Sequence, residues 1–173
     1  RVNDLLDILI VLIKDNPQWI RISPNFPRVQ STNGVISFDG EGNLKGQLTC
    51  QFKSSESSRL RRNYKKKNNN NESFAKELLF ANNSDDVLLE EVSCSMDALD
   101  KPFQVECSFE TAAFMNEAGE YIYLQPMMGQ GFDENPFPLK EISYPVDFAR
   151  TMQWEHTFNF QLPDGYEIES MPT

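Results

Sequence analysis

Apolar and polar residues alternate through much of this chain. The clearest run places Trp154, His156, Phe158, Phe160 and Leu162 between Glu155, Thr157, Asn159 and Gln161. Period-2 alternation of this kind predicts a half-buried β-strand. The same rhythm carries Phe103, Val105, Cys107 and Phe109 against Gln104, Glu106, Ser108 and Glu110. It recurs in Leu44, Leu48, Cys50 and Phe52 against Lys45, Gln47, Thr49 and Gln51. Strands with one apolar side belong to antiparallel sheets with one covered and one wet face.

Turn signals separate these runs. Asp39-Gly40-Glu41-Gly42-Asn43 and Asn116-Glu117-Ala118-Gly119 supply residues that tolerate positive φ. They predict two hairpins, with Val35 to Phe38 folding onto Leu44 to Phe52, and Phe109 to Phe114 folding onto Tyr121 to Leu124. From about Ser55 to Asn82 the rhythm changes. Ser55-Glu56-Ser57-Ser58 offers N-cap chemistry, Leu60 and Tyr64 fall at helical spacing, and Phe74, Leu78 and Leu79 give a second helix its apolar side. The segment predicts a short helical hairpin whose loop is Asn68 to Asn71. Leu5 to Ile13 fits a buried strand or a helix; its β-branched content favours a strand over Leu9 to Ile13, followed by Trp19 to Pro24 as a second strand.

A chain of 173 residues buries roughly two thirds of its unfolded surface, enough for one domain with its own core. The apolar run Leu5 to Ile13 is too short to span a bilayer and is interrupted by Asp7, so no membrane insertion is expected. A formal charge of −10 argues against nucleic acid and anionic membrane as partners, because both attract cations. The chain begins at Arg1 rather than Met, which suggests a piece of a longer protein, so the missing signal peptide bears on no compartment.

The candidate chemistry is sparse. Cys50, Cys94 and Cys107 match no zinc spacing and each sits on the apolar phase of its strand, as buried free thiols do. Cys94 and Cys107 lie equally far from Asp100-Lys101, so a simple hairpin there would set them opposite each other within reach of a disulfide. The single histidine, His156, lies between Trp154 and Phe158 with no orienting or oxyanion motif nearby, which favours a core-edge role over pairing with a cysteine nucleophile. Asp39, Glu41 and Asn43 imitate the start of a calcium loop but lack its acidic closing residue and flanking helices, and Asp133-Glu134-Asn135 is a solvated acidic cluster. No catalytic residue, cofactor or metal is assigned.

Two sets of residues remain as possible interaction surfaces. Arg59, Arg61 and Arg62, continued by Lys65, Lys66 and Lys67, gather much of the positive charge on one helix; with only Tyr64 as an aromatic neighbour they suit a solvated helix face, or a polar contact with an acidic protein surface, better than nucleic acid. Tyr144 and Trp154, with Phe137, Phe148 and Tyr166, are either core or a stacking platform for carbohydrate. Solvent exposure of Trp154, Tyr123 and Tyr144 separates those two roles.

The last third of the chain carries a family resemblance. Asn135-Pro136-Phe137-Pro138 runs into Tyr144-Pro145-Val146-Asp147-Phe148 and ends in Leu162-Pro163-Asp164-Gly165-Tyr166-Glu167-Ile168-Glu169. This resembles the C-terminal domain, of uncharacterised function, that follows the transglutaminase-like core in secreted multidomain proteins of Bacteroides-type bacteria. The resemblance implies that residues 1–33 are the tail of the upstream region or leading strands, and that 34–173 form the C-terminal module. It implies a periplasmic or extracellular location and contact with upstream domains of the same polypeptide. The cysteine, histidine and aspartate of the transglutaminase-like core have no counterparts here.

The sequence thus predicts a mainly β domain, an antiparallel β-sandwich of Ig-like size with one inserted helical hairpin. The expected function is a non-catalytic accessory module with a structural or interaction role. The alternative is a glycan- or peptide-binding module.

Overall fold

The computed structural model describes residues 8–12, 18–22, 27–39, 42–80, 85–96, 100–131 and 152–171. In chain order these form β1 (Ile8–Leu12), β2 (Gln18–Ile22), β3 (Arg28–Phe38), β4 (Leu44–Phe52), α1 (Ser54–Lys66) and α2 (Asn71–Leu79). There follow β5 (Val87–Cys94), β6 (Phe103–Thr111), β7 (Met115–Ala118), β8 (Tyr121–Leu124) and β9 (Met152–Gln161). The chain is mainly β, built on a five-stranded sheet in the order β5-β6-β4-β3-β9. The apolar run near the start is a strand, β1, paired antiparallel with β2 so that Val11 lies opposite Trp19.

The alternation in sequence becomes two faces of the central sheet. On β4, Leu44, Leu48, Cys50 and Phe52 are buried while Lys45 and Gln47 are exposed. On β6, Phe103, Val105, Cys107 and Phe109 are buried in the same way. The helical hairpin covers this apolar face. Leu60 and Tyr64 of α1 and Phe74, Ala75 and Leu79 of α2 join the sheet's core residues in one cluster. Edge-to-face rings knit the layers: Tyr64 and Phe74 lie 5.3 Å apart and Phe74 and Phe103 5.8 Å.

Several expectations need correction. The sheet is mixed rather than antiparallel, because β9 runs parallel to β3, with His156 opposite Thr32 and Phe158 opposite Gly34. Alternation reports which side of a strand is buried and is blind to its direction. The helical hairpin covers the apolar face, and β7 and β8 form a separate two-stranded sheet whose Met115, Ile122 and Leu124 pack on the same core. Phe109 and Thr111 belong to β6, paired with β4; the partner of β8 is β7, with Met115 opposite Leu124 and Ala118 opposite Tyr121. Gly119 at φ 68° closes that hairpin with Glu120, so Asn116 and Glu117 serve as strand and not as turn. β3 runs from Arg28 to Phe38 without a break.

The helix ends differ as well. α1 starts at Ser54 with Lys53 at the N-cap and no side-chain cap, while Ser57 turns inward. α2 is capped as asparagine chemistry allows, with the Asn70 side chain accepting from the Ser73 backbone N–H at 2.9 Å. Between the helices Asn68 and Asn69 hold φ of 55° and 57°, the left-handed region that asparagine tolerates.

Candidate functional site

Among the described residues, the outward face of the central sheet carries a groove with room for a ligand. Two neighbouring rows of cross-strand partners define it. One runs from Gln161 through Ser37, Lys45 and Glu110 to Leu88; the next runs from Asn159 through Val35, Gln47 and Ser108 to Glu90. All of these but Asn159 line a groove of about 360 Å³ with Gly46 in its floor. Gly46 is needed there, since a Cβ would stand 2.4 Å from the Val35 carbonyl oxygen. Lys45 and Glu110 pair across the groove at 3.1 Å.

The basic helix divides in a way that sequence did not show. Arg61 is buried: Nη2 donates to the main-chain oxygen of Lys101 at 2.9 Å, Nη1 donates to Ser57 Oγ, and the guanidinium lies 6.0 Å from the centre of the Phe103 ring. Arg59 pairs with Glu56, which holds the guanidinium pKa above its ordinary value, the hydrogen bond outweighing burial. Lys67 pairs with Glu77 of α2. Arg62, Lys65 and Lys66 stand exposed, without an ion-pair partner among the described residues. A basic run that looks uniform in sequence is therefore one internal clamp, two paired cations and three outward ones.

The aromatic candidates also separate. Trp154 and Tyr123 are exposed, at 43% and 60%. Tyr144 lies outside the described residues, as do the loop from Asn135 to Phe148 and the acidic cluster at Asp133. Tyr121 was not singled out by sequence, yet it is 52% exposed and shares the outward side of β8 with Tyr123. The signal was present in the alternation Tyr121-Ile122-Tyr123-Leu124, whose aliphatic members pack on the core.

The thiols and the histidine sit in one band of the sheet without forming a reactive pair. Thr32 lies between His156 on β9 and Cys50 on β4, and Cys50 Sγ donates to Thr32 Oγ1 at 3.6 Å. Two strand spacings, each about 4.8 Å, keep the imidazole from the thiol. Burial pushes the thiols of Cys50 and Cys94 up to about 11 and that of Cys107 up to about 12, the opposite of what a thiolate nucleophile needs. Burial lowers the pKa of His156, whose ring stacks on Phe158 at 6.0 Å and whose Nδ1 is buried without a hydrogen-bond partner.

All three cysteines are free, and Cys94 does not face Cys107. Its partner is Val105, because β5 carries an irregularity between Glu90 and Ser93, where Glu91 adopts φ 50°. The bridge that a simple hairpin would have allowed fails on register, since a bulge shifts every pairing beyond it. At the other acidic cluster, Asp39 accepts from the backbone and side-chain nitrogens of Asn43, both at 3.1 Å, as a turn-closing residue does. Among the described residues no group of three or more His, Cys, Asp or Glu could hold a metal ion. No helix there is long and apolar enough to cross a membrane.

Comparison with known families adds one match. Residues 120–173 match DUF3858, a domain of unknown function. The matched segment holds β8, β9 and the motifs from Asn135 to Glu169, and covers less than half of the chain. No curated protein and no solved structure matches the chain.

Proposed function

We propose that this chain is a non-catalytic accessory module of a secreted transglutaminase-like protein, located in the periplasm or outside the cell, which docks on the upstream domains of its own polypeptide. The observation that carries the reading is the division of α1. Its inner side is locked to the sheet by Leu60, Arg61 and Tyr64, while its outer side presents Arg62, Lys65 and Lys66 on a chain of net charge −10. Unpaired cations gathered on a rigid helix suit an acidic protein surface, where complementary charge sets orientation and association rate. The test is binding of this chain to the separately expressed upstream region. Association lost when Arg62, Lys65 and Lys66 are all replaced by Ala supports the reading; association that is absent, or indifferent to the triple change, contradicts it.

A second reading, a glycan- or peptide-binding module, is favoured by the exposure of Tyr121, Tyr123 and Trp154. Aromatic rings held on strands offer large, rigid contact area to a ligand. A binding screen with oligosaccharides and extended peptides tests it.

A further inference from the structure

We propose that the groove on the outward face of the central sheet is a glycan site, which takes a neutral polyhydroxylated ligand through Gln47, Ser108 and Glu90. The proposal rests on the second reading above and moves the site from the exposed rings to the sheet.

The groove has the size of a small-ligand pocket, about 360 Å³, within the range that binds a compact molecule. Its floor is backbone already committed to pairing: β4 is bonded to β3 on one side and to β6 on the other. An extended peptide recognises a sheet through unpaired main-chain groups at an edge, and this floor has none to give. Recognition therefore falls to side chains.

Those side chains have the chemistry that hydroxyl groups require. Gln47 both donates and accepts, Glu90 accepts only, and Ser108 does both. Ser108 and Glu90 are cross-strand partners, as are Ser108 and Gln47, so the three groups form one row. Ser108 Oγ donates its one proton to Glu91 Oε2 at 3.4 Å, which leaves its lone pairs to accept from a ligand hydroxyl. The Lys45–Glu110 pair cancels its own charge in the neighbouring row. Glu90 is left as an acceptor for hydroxyl protons, with no matching site for an anion. Leu88 and Val35, 56% and 50% exposed, stand toward opposite ends of the groove and offer apolar contact to the C–H faces of a sugar ring.

The test is an NMR titration of the ¹⁵N-labelled chain with cellotetraose, xylotetraose, maltotetraose and mannotetraose, each alone. The expected result is that at least one sugar shifts the amides of Lys45 to Gln47, Ser108 to Glu110 and Leu88 to Glu90. Gln47→Ala and Glu90→Ala, both exposed and outside the core, should each weaken that binding roughly tenfold, as expected for losing a ligand hydrogen bond. Thr49→Ala, on the same face beyond the groove, should leave it unchanged. Sugar binding that maps to β8 and disappears in the Tyr121→Ala/Tyr123→Ala double variant overturns the groove and keeps the glycan reading. Failure of all four sugars to shift any amide overturns the groove; shifts along β9 produced instead by an extended peptide would leave only the peptide form of the reading.

Discussion

Arg61 donates from Nη2 to the main-chain oxygen of Lys101 at 2.9 Å, which fastens α1 to the chain entering β6. Ser57 adds a bond to the same oxygen at 3.4 Å, and Phe103 lies beneath the guanidinium. A buried cation costs least when its donors are used; here Nη1 bonds Ser57 within the helix and Nη2 fixes the helix to the chain entering β6. Arg61→Leu removes those donors and is expected to cost about 1–3 kcal/mol. Arg62→Ala, one position on and exposed, should change stability by no more than about 0.5 kcal/mol. Urea unfolding of the two variants checks the difference, and equal midpoints would contradict the assignment of Arg61 as a clamp.

Gly34 and Gly46 set the closeness of β3 to its neighbours in different ways. A Cβ at Gly34 would meet side-chain carbons of Phe158 and Leu48 at 2.7 and 2.8 Å, and one at Gly46 would meet backbone oxygen at 2.4 Å. Side chains can shift where a paired backbone cannot, so Gly46→Ala should destabilise more than Gly34→Ala, whose expected cost is about 1–3 kcal/mol. Thermal unfolding of both variants orders them.

Acid should act through His156. Burial lowers its folded pKa below the ordinary 6.5, so the unfolded chain takes up a proton more readily. The stabilising contribution of the neutral ring is present above about pH 6.5 and is lost as pH falls below that value. Replacing His156 with Gln should flatten the pH dependence of stability between pH 7.5 and 5.5 relative to the unmodified chain. An unchanged slope would show that the ring titrates as if free.

The thiols make the converse prediction in base. Their pKa values of about 11 to 12 exceed the roughly 8.5 of an unfolded cysteine, so at pH 8 the native chain should react slowly with a thiol reagent. Cys94, half-buried, should be modified first, and all three should react at once in denaturant. Above about pH 8.5 the unfolded thiols ionise while the native ones do not, and their stabilising contribution falls as pH rises toward the native values. Rapid labelling of Cys50 in native protein at pH 8 would contradict its burial.

Period-2 alternation made the faces of the sheet legible. The buried set on β4 and β6 is the set the sequence marks, and the helical hairpin falls where the rhythm breaks. Strand direction was not legible: β9 follows a long connection, and nothing in Trp154 to Leu162 states whether it lies parallel to β3. The β5 bulge was equally hidden, because Glu91 looks like any polar strand residue until the Cys94 register is seen. The same limit applied to the candidate surface. Arg59, Arg61 and Arg62 look alike in sequence, but one helix turn separates a paired, a buried and a free cation, and only packing against Lys101 and Phe103 tells them apart.

Docking as proposed would cover Arg62, Lys65 and Lys66 with upstream domains of the same polypeptide. Acetylation rates of Lys65 and Lys66, read by mass spectrometry in this isolated chain and in the full-length protein, test it most directly. Docking through this face predicts slower modification of both lysines in the full-length protein, with protection relieved by high salt because the proposed contact is ionic. Equal rates in the two proteins would contradict docking through this face.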